Sequence, residues 1–167
     1  MEIPSRCSPS DHLVIIGNGM ASHRLLEAGV KLPTRPQHIT VIGAEPTPAY
    51  NRILLSPLLA GEMHQDALTL RDAQWYANQG VTLVLGEKVE ALYRDRQTVV
   101  TDTGRTLPYD HLVIATGSRP AMPNVSGIEL AGVHGFRDLQ DTDALTAIAQ
   151  QGGEAVVIGG GLLGLEA

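Results

Sequence analysis

Two stretches of this 167-residue chain are near copies of each other: VIIGNGMAS at residues 14–22 and VVIGGGLLG at residues 156–164, which superimpose without gaps. Gly17 aligns with Gly159, Gly19 with Gly161, and Ser22 with Gly164. Each copy follows a short apolar run rich in β-branched residues and precedes apolar residues at helical spacing. Each therefore reads as a buried strand that enters a helix through a glycine turn. One GxGxxG is a weak signal, whereas two copies in this setting are a strong one. The first glycine permits the tight turn, and the second lets the backbone approach a pyrophosphate. The third lets the helix pack on the sheet, while the helix N-terminus offers unpaired N–H groups to the phosphates. Ser22 in the third position of the first copy weakens the packing argument more than the phosphate argument.

The stretch HITVIGAE at residues 38–45 adds a second strand that ends in Glu45. Strand, helix and strand in so short a span make a βαβ unit, which requires a parallel sheet. Glu45 stands where an acid would accept hydrogen bonds from the ribose of a bound dinucleotide. The alternative is a glycine turn in an α/β domain that holds no nucleotide; the acid in place favours dinucleotide binding.

Residues 46–70 are irregular, with a short apolar helix expected at 53–59. A helix at 71–79 ends at Gly80, and a strand follows at 81–85. Short segments at 88–93, 98–103 and 105–107 predict an antiparallel meander inserted into the crossover. DHLVIA at residues 110–115 resumes the buried parallel type. After a Pro- and Gly-punctuated connection, residues 141–151 read as a helix capped by Asp138 or Asp141. A strand is expected at 154–158, before GGGLLGLEA opens another helix.

Twelve Lys and Arg against 18 Asp and Glu leave a net charge of −6, which argues against a nucleic-acid binder. The single cysteine, Cys7, allows no intrachain disulfide, no zinc knuckle and no redox dithiol; it reads as an inert thiol in an N-terminal tail. No apolar run reaches a membrane span, and the N-terminus lacks the apolar stretch of a signal peptide, so a cytoplasmic location is expected. The six histidines show no metal-ligand spacing, and no Ser-His-Asp or paired-carboxylate arrangement stands out. No catalytic side chain and no metal ligand is therefore assigned.

Two dinucleotide motifs in one chain resemble the FAD-dependent pyridine nucleotide oxidoreductases, in which the first site takes FAD and the second NADH or NADPH. GNGMAS, ITVIGAEPTPAYNRILLSPLLAGE, YDHLVIATGSRP, GFRDLQDTDAL and VVIGGGLLGLEA together resemble more closely the N-terminal flavin module of assimilatory NAD(P)H nitrite reductase large subunits. They resemble equally the electron-transfer subunit of assimilatory nitrate reductase, and more loosely the rubredoxin and ferredoxin reductases.

The resemblance implies roles for individual residues. Gly17, Gly19 and Met20 would line the FAD pyrophosphate, and Glu45 would hold the ribose. Asn51 and Arg52 would sit near the pyrophosphate or the isoalloxazine edge, with a solvated loop charge as the alternative for Arg52. Lys88 and Val89 match the place where backbone meets the adenine, although Val89 could equally be a plain strand residue. Thr116 and Gly117 match a FAD-contacting turn that Arg119 follows. Arg137 matches an arginine near the flavin, or else a helix-entry salt bridge. Gly159, Gly161, Gly164 and Glu166 match the nicotinamide nucleotide site. The disulfide reductases of this superfamily carry CxxxxC where this chain reads YNRILLSPLLAG, so electrons cannot leave through a protein dithiol.

The expected fold class is thus α/β: a Rossmann-like FAD-binding domain with an inserted antiparallel β-meander, then the start of a second Rossmann-like NAD(P)-binding domain. The expected divisions are a tail at 1–11, an incomplete FAD domain at 12–119, a connection at 120–137 and a truncated NAD(P) domain at 138–167. The expected function is to accept a hydride from NADH or NADPH and pass electrons to an iron–sulfur or sirohaem acceptor in nitrite or nitrate assimilation. That acceptor would lie on a segment outside this chain or on a redox partner, with no nucleic acid or membrane involved. The alternatives are a rubredoxin- or ferredoxin-type reductase and an inactive nucleotide-binding fragment.

Overall fold

The computed structural model describes residues 8–166; Cys7 lies outside them. The described chain forms two compact units, one comprising the residues up to Tyr50 with Thr69–Gly117, the other Asn51–Leu68 with the residues from Ser118 onward.

In the first unit, β1 (His12–Ile16), β2 (His38–Gly43), β3 (Val81–Leu85) and β7 (His111–Ile114) make a parallel sheet in the order β3-β2-β1-β7. These are the four apolar runs, and β3 occupies the expected residues. Two of the crossovers hold helices, α1 (Met20–Gly29) after β1 and α3 (Ala73–Asn78) after β2. Asp72 starts α3 by accepting from the Trp75 N–H. Between β3 and β7 the chain makes the expected meander, β4 (Val89–Tyr93), β5 (Thr98–Thr101) and β6 (Thr106–Pro108), a separate antiparallel sheet in that order.

Alternation along the parallel strands sends their side chains into two cores, one on each face. Ile15, Ile39 and Val41 pack with Leu26 of α1 and Tyr76 of α3. Val14, Ile16 and Ile42 pack with Val99 of β5, with Val89, Leu107 and Leu112 alongside. The sheet is therefore covered by helices on one face and by the meander on the other. Each large aliphatic side chain buried in this way contributes roughly 1.5–3 kcal/mol.

In the second unit a 3-10 turn (Arg52–Leu54) runs into α2 (Leu55–Leu59), which packs against α4 (Leu139–Gln151). Asp138 caps α4 by accepting from the Asp141 N–H at 2.9 Å, which decides between the two candidate caps. A short α5 (Leu162–Glu166) follows the second glycine turn. The strand expected at 154–158 is not formed. Val156, Val157 and Ile158 are 87%, 54% and 74% exposed, and no described segment pairs with them. A strand is held by its ladder and by a covered face, and this stretch has neither.

Candidate functional site

The sequence-predicted residues of the first unit gather at the C-terminal ends of the parallel strands. That is where open α/β sheets bind ligands. β1 leads into Gly17, β2 leads toward Glu45 two residues past its end, β3 leads into Lys88 and Val89, and β7 leads into Thr116 and Gly117.

Gly17 has φ +105°, and its N–H donates to the Ile42 carbonyl at 2.8 Å. A Cβ there would be driven into the Ala115 carbonyl and the Thr116 amide, so the protein itself requires this glycine. Gly19 is different. It is the N-cap of α1 with extended backbone, and a Cβ on it would meet nothing within 4 Å. It offers no side-chain cap, and the first turn of α1 holds no acidic residue. Among the described residues no backbone acceptor meets the N–H groups of Met20, Ala21 and Ser22. A helix start with free donors, an uncompensated positive dipole end and open space before its glycine fits a phosphate group. Ser22 is fully buried, and its hydroxyl donates to the Gly17 carbonyl at 2.5 Å. The serine is thus accommodated and ties the helix back to the turn.

Glu45 is oriented by Tyr50, whose hydroxyl donates to its Oε2 at 2.7 Å, and its backbone carbonyl accepts from the Gly86 N–H. The two residues of the expected adenine contact differ. The Lys88 N–H donates to Asp102 Oδ1 at 3.0 Å and its carbonyl accepts from the Asp102 N–H at 2.8 Å, so Asp102 occupies both backbone polar groups of Lys88. Val89 pairs with Thr101 in the next ladder position. The Thr101 N–H is turned toward the Arg105 carbonyl on the opposite side. The ladder shifts register between Val89 and Ala91, and β4 is an edge strand. Of the two, Lys88 is the one whose backbone N–H and C=O are both taken by Asp102.

Glu87, just before them, is buried and holds the meander to the end of β3. It receives Arg105 through Nε and Nη2 at 2.8–3.0 Å and the hydroxyls of Thr101 and Thr103 at 2.8 and 2.9 Å. Hydrogen bonds from Arg105 and the two threonines outweigh the cost of burial and bring its pKa down to about 2. Thr116 and Gly117 begin one residue after the Ala115 N–H meets the Ile16 carbonyl, and Gly117 has φ +74°.

In the second unit, Asn51 spends its side-chain oxygen capping the 3-10 turn, accepting from the Ile53 N–H at 3.1 Å. Arg52 donates to the Arg137 carbonyl at 3.1 Å. The Arg137 guanidinium donates to the Ser118 carbonyl at 2.7 Å, and its N–H goes to Asp141 Oδ2. Two of the expected flavin contacts are therefore bonded to each other. Arg119 is exposed. Gly159 has φ +129°, and Gly161 has nothing near its missing Cβ. A Cβ on Gly164 would collide with the Gly159 carbonyl, which accounts for the glycine there. Glu166 accepts from the Ser56 hydroxyl at 3.1 Å.

Sequence reading passed over Tyr50, Asp102 and the capping role of Asn51. Only the last left a local signal, an Asn just ahead of a short apolar run. Among the described residues no three His, Cys, Asp or Glu side chains converge as metal ligands, and no helix is long and apolar enough to cross a membrane.

Over 155 residues the chain is 48% identical to the assimilatory nitrate reductase electron transfer subunit of Bacillus subtilis, covering 93% of this chain and 20% of the relative. It is 45% identical to nitrite reductase [NAD(P)H] of the same organism, covering 93% and 19%. It thus spans about a fifth of the length of these curated relatives. The structure is also similar to that of NADH:rubredoxin oxidoreductase from Clostridium acetobutylicum, with a TM-score of 0.84 at 23% identity, covering 93% of this chain and 40% of that one. With residues 11–167 matching it, the chain belongs to the pyridine nucleotide-disulphide oxidoreductase family.

Proposed function

We propose that the first unit is the FAD-binding part of an NAD(P)H-dependent oxidoreductase that delivers electrons to an iron–sulfur or sirohaem acceptor in nitrite or nitrate assimilation. The observation that carries this reading is the start of α1, where Met20, Ala21 and Ser22 have no backbone acceptor among the described residues and a Cβ on Gly19 would meet nothing within 4 Å. The backbone of Gly17, Gly19 and Met20 would bind the pyrophosphate. Glu45, held by Tyr50, would accept from the ribose hydroxyls, and the backbone at Val89 would meet the adenine. Thr116 and Gly117 would form a further FAD-contacting turn. Asn51, Arg52 and Arg137 are kept as flavin contacts on the strength of the family resemblance, and Gly159, Gly161, Gly164 and Glu166 as the nicotinamide nucleotide turn. Bound FAD supplies the chemistry: it takes two electrons together as a hydride and releases them one at a time. The protein's part is to bind and orient it.

The names of the two Bacillus relatives support nitrate or nitrite assimilation as the setting. A stand-alone rubredoxin- or ferredoxin-type reductase is the second reading, on the strength of the looser family resemblance. The test is to purify the full-length protein gently and add NADH or NADPH anaerobically. The visible flavin band bleaches if the reading holds, and a protein that neither retains nor rebinds flavin would refute it. Gly19→Ala should weaken FAD by roughly tenfold with the apoprotein's melting unchanged, since its methyl meets only the ligand's space.

A further inference from the structure

The turn that carries Gly17 and Gly19 has a third residue, Asn18, to which neither the glycine pattern nor the family match gives a task. Its side chain lies beneath the turn. Asn18 Nδ2 donates to the Thr47 carbonyl at 3.5 Å, and Asn18 Oδ1 accepts from the Tyr76 hydroxyl at 3.4 Å. Tyr76 is buried in α3, where its ring packs in the core with Ile15 and Val41. The Ala49 backbone also faces its hydroxyl, and burial raises its pKa, so the group stays a neutral donor. Thr47 and Ala49 belong to the loop that links Glu45 to Tyr50, and that loop is closed by the Tyr50 to Glu45 hydrogen bond. The end of β2 is shaped to the same purpose: a Cβ on Gly43 would come within 2.8 Å of the Asn18 Cβ.

We infer that Asn18 and Tyr76 are a positioning pair for the cofactor, a strut that sets the height of the pyrophosphate turn against the Glu45 loop. The inference rests on the FAD reading above. Pyrophosphate and ribose are joined covalently in FAD, so the donors at Gly19 and Met20 and the acceptor at Glu45 must be held at one spacing to engage both. Neither local segment fixes that spacing. β1 with its turn and β2 with its loop reach the site on separate strands, and beyond the sheet the side chain of Asn18 spans them. At these lengths the bonds are weak, and the pair contributes through placement.

The experiment compares FAD dissociation constants in the full-length protein for wild type, Tyr76→Phe, Asn18→Ala, the double variant and Gly43→Ala. Each of the two single variants should weaken FAD by roughly three- to tenfold, the range expected for one modest hydrogen bond. The double variant should lose no more than the worse single one, because the two residues act as a unit. Gly43→Ala, which keeps both side chains but displaces Asn18, should lose a similar factor. Saturating FAD should restore the wild-type kcat with NAD(P)H in every variant, because the pair holds the cofactor and takes no part in hydride transfer. Wild type that binds no flavin defeats the FAD reading itself. Flavin-binding wild type whose variants stay within twofold, or whose losses multiply in the double variant, or whose kcat stays low at saturating FAD, overturns the strut alone. Should Tyr76→Phe fail to fold, Asn18→Ala and Gly43→Ala decide the matter by the same readings.

Discussion

The two glycine turns share a sequence pattern, yet they rest on different supports. The first leaves a strand whose Val14 and Ile15 have no exposed surface and which is paired on both edges, by β2 and by β7. The second leaves residues 156–158, which are exposed and unpaired among the described residues. The turns are nonetheless alike: Gly17 and Gly159 both have positive φ, and in both a helix starts just after the second glycine. The turn is therefore a local property of the glycines, while the strand before it is a property of the sheet. The third position shows the same division. Ser22 is anchored to the Gly17 carbonyl, whereas Gly164 sits so close to the Gly159 carbonyl that no side chain fits.

The widest separation should come from the first glycine of each turn. Gly17→Ala sets an L-residue at φ +105° and drives its methyl into the Ala115 carbonyl, for a cost of about 3 kcal/mol and a melting point lower by roughly 10 °C. Gly159→Ala meets no neighbour and carries only backbone strain, about 1–2 kcal/mol. Equal losses in thermal melts would break the distinction between a turn wedged against its sheet and one that stands clear.

These contrasts explain what sequence alone could reach. Apolar runs such as VTLVL and HLVII became strands because both period and turn signals were local, whereas the cap of α4 was narrowed only to Asp138 or Asp141 until the backbone chose Asp138. The run before Gly159 looked the same and formed no strand, because pairing partners are not written in the run itself. At the site, the glycines and Glu45 were legible from spacing. The difference between Lys88 and Val89 was not, since it depends on Asp102 reaching back across a hairpin. Likewise, Tyr76 meets Asn18 only because α3 is laid against the same face of the sheet as α1.

A smaller effect is expected at the third position. Ser22→Gly restores the glycine pattern but removes a buried hydrogen bond and places glycine inside α1, so it should destabilise by about 2 kcal/mol. A melt unchanged or raised would mean that the pattern outranks the contact. Denaturant titration of wild type and variant measures this directly.

The smallest effect is a pH dependence, and every group that produces it lies in the first unit. His23 is buried in α1 with its Nδ1 unpartnered among the described residues and its Nε2 3.6 Å from Glu27. Burial lowers its pKa, with Arg71 and Arg24 acting the same way and Glu27 opposing. His12 is lowered first by burial and then by His38, against Asp110 and the Pro108 backbone. A lowered histidine pKa means that the unfolded chain takes up a proton the folded chain resists. The stability is therefore complete above the ordinary value of about 6.5 and is lost as pH falls from there to the folded value. Glu87 acts in a separate window. Its folded pKa of about 2 lies below the ordinary 4.5, so its contribution is complete above 4.5 and is lost as pH falls through about 2. Denaturant midpoints should thus decline gently below about pH 6.5 and more steeply below about pH 4.5. His23→Gln should shrink the first decline to the part due to His12, and Glu87→Gln should shrink the second to the part due to Asp11 and Glu27. A single decline unaffected by either change would show that the acid sensitivity arises elsewhere than in the supports of the first turn.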